Sequence, residues 1–135
     1  MVGFPKAGLS MESAANANAY VGGESQFKNN LVHALANPYS TSGGAETVIT
    51  AAALKAKAET EGNTTYATAA DIMLEAPFNW DAPNYLPKAG SPALGGAVFS
   101  GLDNTFFNTV SYRGALGTTN WLNTWTSFTP QTNIY

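Results

Sequence analysis

Apolar residues follow two kinds of pattern in this chain, and the change comes near Pro77. Between Glu24 and Ala36, Phe27, Leu31 and Leu35 recur every fourth residue, which lays one apolar stripe along a helix face. Gly22-Gly23 precede that segment, Glu24 suits its positive end, and Asn37-Pro38 would stop it. A second helix is predicted from Ala45 to Glu61, built of good helix formers and closed by Gly62-Asn63, with Val48, Ile49, Ala52 and Ala56 as its inner face. A short helix over Ser10 to Ala19 completes the alanine-rich half. Thr68 to Asp71 has the spacing of a capping box and would start a helical turn reaching Leu74, although "DIMLE" reads equally as a buried strand.

Beyond Pro77, prolines and glycines leave room only for brief extended segments. Strands are predicted at Ala97 to Ser100 and at Thr105 to Arg113, where Phe106, Asn108, Val110 and Tyr112 alternate with Phe107, Thr109, Ser111 and Arg113. Trp121, Leu122, Trp125 and Phe128 return to helical spacing, so a short amphipathic helix carrying two indoles is expected before Pro130. The fold class that follows is α+β. Residues 1–76 form a helical segment, an insertion or cap, and residues 77–135 form a short-strand region with a Trp-rich end.

Composition narrows the partners. Charged residues make up 11% of the chain, against about 25% in ordinary soluble domains, so the polar surface is built from Asn, Thr, Ser and Gly. Six basic against nine acidic residues supply no basic stripe, which argues against nucleic acid. No stretch approaches the ~20 apolar residues of a membrane span. "MVGFPK" has no basic start followed by an apolar run, so no signal peptide is expected in this stretch. The absence of cysteine excludes disulfides and thiolate chemistry. Low charge with abundant Asn, Thr and aromatics favours an exported protein, at the outer surface of a Gram-negative bacterium or outside the cell.

No constellation points to catalysis, a cofactor or a metal, and no catalytic, cofactor-binding or metal-binding residue is assigned. His33, the one histidine, falls near the end of the first predicted helix, where the helix dipole favours a charged imidazole. Glu59 and Glu61 sit beside Lys55 and Lys57 as a solvated charged face, and Asp71 and Glu75 would share one helix face without forming a calcium loop. The other carboxylates, Glu12, Glu24, Glu46, Asp81 and Asp103, are scattered, and no phosphate-binding glycine motif or nucleophile elbow is present. Trp80, Tyr85, Trp121 and Trp125, with the many amides, are the materials of a sugar-binding face as well as of ordinary packing.

"FNWDAPNYLPKAGSPALGGAVF", followed by "FFNTVSYRGALGTTNWLNTWTSFTP", resembles the C-terminal region of uncharacterised secreted right-handed parallel β-helix proteins of Bacteroidetes-type bacteria. The matching features are Leu86-Pro87, Gly90 to Leu94, Phe106-Phe107, Tyr112 to Ala115, and Trp121 with Trp125, within residues 71–135. The resemblance implies stacked short strands closed by an indole cap, with Pro87 and Pro92 at corners and Gly90, Gly95 and Gly96 at bends. Residues 71–135 make too few coils to stand alone, so a protein partner or the remainder of a longer chain is expected. The function expected is a non-enzymatic structural or interaction role. The alternatives are part of a carbohydrate-active enzyme of the polysaccharide lyase type and a carbohydrate-binding module.

Overall fold

A computed structural model describes residues 3, 5–102, 105–123 and 126–132. The architecture is α+β, with short strands in small sheets and two α-helices among the described residues. Two compact units divide the chain, Met1–Ala69 and Ala70–Tyr135.

In the first unit the order is β1 (Leu9–Met11), α1 (Ala14–Gly22), β2 (Leu31–Val32), β3 (Tyr39–Thr41), a 3-10 turn (Gly43–Thr47), α2 (Ala51–Thr60) and β4 (Thr64–Thr65). Strand β3 pairs in parallel with β1, in the register Leu9↔Tyr39, Ser10↔Ser40 and Met11↔Thr41. Strand β4 pairs in parallel with β2, placing Leu31 beside Thr64 and Val32 beside Thr65. The backbone therefore makes a circuit of strand, helix and strand and then lays a second circuit on the first. Backbone bonds from Asn37 to Lys6 O and from Gly8 to Pro38 O continue the contact between circuits along the connecting side.

Strands this short do not hold a sheet by themselves, and the core supplies what the ladders cannot. Met11, Ala17, Tyr20, Val32, Tyr39, Ile49, Leu54 and Ala58 form one buried cluster drawn from both circuits, with Leu9, Phe27 and Val48 packed against it. Gly8 sits where the circuits approach most closely: a Cβ there would run into Val32 Cγ1 and lie 3.1 Å from Pro38 O.

The helix predicted over Glu24–Ala36 does not form. The helix lies just before it, as α1, capped by the Ser13 hydroxyl accepting from the Asn16 N–H and ended at Gly23 with φ 86°. Gly22-Gly23 thus close a helix, in keeping with the strong preference of glycine for helix C-termini. A spacing of four is also a multiple of the strand period of two. Phe27 packs on the core and Leu31 is buried in β2, while Leu35 is 73% exposed. The short helix expected over Ser10–Ala19 corresponds to α1, shifted toward the C-terminus.

The second predicted helix is broken. Gly43–Thr47 is a 3-10 turn, Thr50 is extended, and its hydroxyl accepts from the Ala53 N–H to start α2 afresh. This N-cap turns the chain after Ile49, so the inner face of α2 is Leu54 and Ala58, and Ala52 and Ala56 are exposed. The predicted C-terminus is correct: Gly62 donates to Glu59 O and Asn63 to Ala58 O, the paired bonds of a Schellman ending.

The second unit opens on a 3-10 turn (Ala69–Ile72), then β5 (Leu74–Ala76) and β6 (Asn84–Pro87), paired antiparallel with a register irregularity between Leu74 and Ala76. Both readings of the Asp71 region hold in part, one turn and then a strand, so Asp71 and Glu75 do not share a helix face. Ser91 is buried; its hydroxyl donates to Ile72 O at 2.6 Å and accepts from the Ala93 N–H at 3.1 Å. Pro87 ends β6 and Pro92 begins a 3-10 turn (Pro92–Leu94).

The strands predicted at Ala97–Ser100 and Thr105–Arg113 are absent among the described residues. Isolated backbone bonds run from Arg113 N–H to Ala93 O and from Ala97 N–H to Ser111 O, the Arg113 Nε donates to Gly96 O, and the bend at Gly96, φ 78°, interrupts any longer ladder. Alternation without a paired neighbour does not make a strand. No described residue from Trp121 to Phe128, where a helix was expected, is helical: Trp121–Asn123 is a turn and Phe128 a bend, while Trp125 lies outside the described residues. Asn120 Oδ1 accepts from the Leu122 N–H and Ser127 Oγ from the Thr129 N–H, side-chain bonds that compete with a helical ladder.

Candidate functional site

The polar groups of the first unit serve its architecture. Asn63, at the end of α2, is 4% exposed and uses its whole amide. Its Oδ1 accepts from the Asn30 backbone N–H at 2.8 Å and from Asn30 Nδ2 at 2.9 Å, while its Nδ2 donates to Phe27 O and Ala58 O. Two acceptor and two donor positions are all that a carboxamide has. One side chain thereby stitches the turn before β2 to the turn before β4.

A second tie joins the helices. The Tyr20 hydroxyl of α1 donates to Glu61 Oε2 at 2.6 Å, and Lys57 Nζ reaches Glu61 Oε1 at 2.7 Å while lying 4.9 Å from the centre of the Tyr20 ring. Burial alone would raise the Glu61 carboxyl, but the hydrogen bonds from Lys57 and Tyr20 outweigh it and hold the group below the usual carboxylate range. Burial, then the bond to Glu61 and its charge, push the Tyr20 phenol above its ordinary value. Glu59 is solvated, as the sequence indicated, and pairs with Lys55 at 2.6 Å.

His33 does not end a helix. It is buried just after β2, and its Nδ1 accepts from the Gly3 N–H at 3.2 Å. No three His, Asp or Glu residues among those described gather as a metal-binding group.

The second unit carries a cleft with a mixed polar and apolar lining. An open cleft of about 400 Å³ lies between the β5–β6 turn and the segment after Asn120, lined by Asp81, Asn84, Asn120, Asn123, Thr126 and Phe128, with apolar neighbours including Pro83 and Leu86. Local bonds orient its polar side chains. Asn79 Oδ1 accepts from the Asp81 and Ala82 N–H groups and sets the turn. Asn84 Oδ1 accepts from the Leu86 N–H, Asn120 Nδ2 donates to Asn123 Oδ1, and the Thr126 hydroxyl donates to Leu122 O.

Of the aromatics singled out from sequence, Trp80, Tyr85 and Trp121 do not line this cleft, and Trp125 lies outside the described residues. Trp80 is 89% exposed on the turn, Tyr85 and Trp121 are exposed on β6 and near Asn120, and the Trp121 indole donates to Ala115 O. Among the described residues the ring in the lining is Phe128, which the sequence placed at helical spacing with Trp121, Leu122 and Trp125. The stacked ring pair among the described residues is Phe106 with Phe107, edge to face at 4.9 Å. No protein-family model, curated protein or solved structure matches the chain.

Proposed function

We propose that the chain is the terminal part of an exported bacterial surface or secreted protein of the right-handed parallel β-helix kind, with a structural or interaction role. One observation carries this reading: the backbone returns to pair in parallel with itself at two separate places, Leu9 with Tyr39 and Leu31 with Thr64. Parallel pairing across a whole circuit is how a solenoid stacks its coils. Support comes from the half of the chain first read as helical, where each coil carries a helix between its two strands. The second unit, with its antiparallel β5–β6 pair and the Gly-Ser-Pro-Ala-Leu run at residues 90–94, is then the closing region. A surface poor in charge and rich in amides suits an exposed structural part, and no helix among the described residues is long and apolar enough to cross a membrane.

Disulfide trapping tests the coil. The Ser10 and Ser40 hydroxyls are 3.0 Å apart on neighbouring strands, and the native chain has no cysteine to interfere. Adjacent strands lie about 4.8 Å apart, within the Cα separation that a disulfide spans. The double substitution Ser10→Cys/Ser40→Cys is expected to oxidise within the monomer and raise the unfolding midpoint. Failure to oxidise while the protein stays folded refutes the parallel register. Location is tested in the source organism by cell fractionation, and recovery from the cytosol alone refutes export.

A further inference from the structure

We infer that the cleft between the β5–β6 turn and the residues Asn120, Asn123, Thr126 and Phe128 binds a neutral oligosaccharide. Its volume, about 400 Å³, falls in the range of small-ligand sites, which run from about 300 to 1,000 Å³. What selects the ligand is the chemistry of the lining. The residues named above include no lysine or arginine and one carboxylate, Asp81, so a phosphate, sulfate or sugar acid finds no countercharge and one repelling group. A single carboxylate is also too little for a cation.

The hydrogen-bonding groups match hydroxyls, which donate and accept at once. Asn84 and Asn123 each spend one acceptor position, on the Leu86 N–H and on Asn120 Nδ2, and keep an Nδ2 with two donors and one further lone pair on the oxygen to offer a ligand. The Thr126 hydroxyl spends its proton on Leu122 O and keeps lone pairs to offer, and the Asp81 carboxylate is a further acceptor. Donors and acceptors held in place by the chain's own turns need little reordering on binding. The Phe128 ring is half exposed in the same lining and presents an apolar face to the C–H side of a sugar ring. Amide donors, acceptors and one ring in a cleft without cationic groups fit a polyhydroxylated, uncharged chain better than a peptide or a nucleotide.

The full chain is titrated with linear hexasaccharides of glucose, mannose, galactose and xylose, and with hexagalacturonate as the acidic member. The readouts are calorimetry and the side-chain amide resonances of the ¹H–¹⁵N spectrum. Saturable binding of a neutral hexasaccharide is expected, with the Asn84 and Asn123 side-chain resonances moving in the unmodified protein. Phe128→Ala is expected to weaken binding at least tenfold and Asn123→Ala about threefold, while Phe106→Ala, on an exposed ring outside the cleft, changes nothing. Binding of no neutral member, binding of the acidic member alone, or binding that leaves both amide resonances in place overturns the assignment. The amide readout needs no variant, so a misfolded Phe128→Ala protein leaves the test intact.

Discussion

Replacing Asn63 by alanine removes four hydrogen bonds at one buried point. Ala58 O keeps the Asn63 and Glu61 backbone donors, so the groups stranded are the Asn30 N–H and Phe27 O. An unsatisfied buried polar group costs about 1–3 kcal/mol, and two of them, partly reachable by water beside half-buried Asn30, give about 3 kcal/mol. A unit the size of Met1–Ala69 has a total stability of roughly 3–10 kcal/mol. Asn63→Ala is therefore expected to unfold the first unit partly or wholly, read by urea denaturation with far-UV circular dichroism. Asn63→Asp separates hydrogen bonding from volume. The carboxylate still accepts from Asn30 but faces Phe27 O and Ala58 O with no donor, so its folded pKa is raised above the unfolded value of about 3.9. A raised folded pKa gives stability that is present below the unfolded value and lost as pH rises, so the deficit of Asn63→Asp relative to the parent protein narrows on acidification. A loss under about 1 kcal/mol in Asn63→Ala, or a deficit in Asn63→Asp that does not change with pH, refutes the role given to this amide.

Tyr20→Phe keeps the ring under Lys57 and deletes the bond to Glu61; a charged partner makes such a bond worth about 1.5–3 kcal/mol, and partial exposure of Glu61 places the expected loss near 1.5 kcal/mol by urea unfolding. Glu61 is held low, so its contribution is present above the unfolded carboxyl value and lost as pH falls through the folded one; Tyr20→Phe should move that acid loss to higher pH. Gly8→Ala must push Val32 or the Pro38 carbonyl aside and is expected to lower stability by about 2 kcal/mol, seen as a lower urea midpoint at unchanged slope. Ser91→Ala strands Ile72 O and is expected to cost about 1–2 kcal/mol, read by hydrogen exchange of the β5–β6 amides.

The Gly62-Asn63 ending was the legible part of the sequence, and periodicity the misleading part. Gly62-Asn63 marked the end of α2, but Ser13 and Thr50 start helices through side-chain bonds, and Gly22-Gly23 end one that the Phe27, Leu31, Leu35 spacing hid. The parallel pairing of the two circuits left a trace that needed a longer comparison: residues 30–36, NLVHALA, and 63–69, NTTYATA, share Asn30 with Asn63, Ala34 with Ala67 and Ala36 with Ala69. Three small or polar matches carry no hydropathy signal, and the offset differs from that of Leu9 and Tyr39. The cleft was less legible still. Its donors are amides whose availability depends on which oxygen a turn has taken, and composition cannot express that.

The two circuits differ in path. Helix α1 follows β1 almost at once and returns by a long loop, whereas α2 waits for the Gly43–Thr47 turn and returns quickly through Gly62. The strands nevertheless meet in register on both sides, because pairing is fixed at the ladders and at the Asn63 amide. Excursion length and alignment are thus uncoupled in this unit: two paths of different length lay down the same paired rows, provided that each brings its helix back onto the shared core.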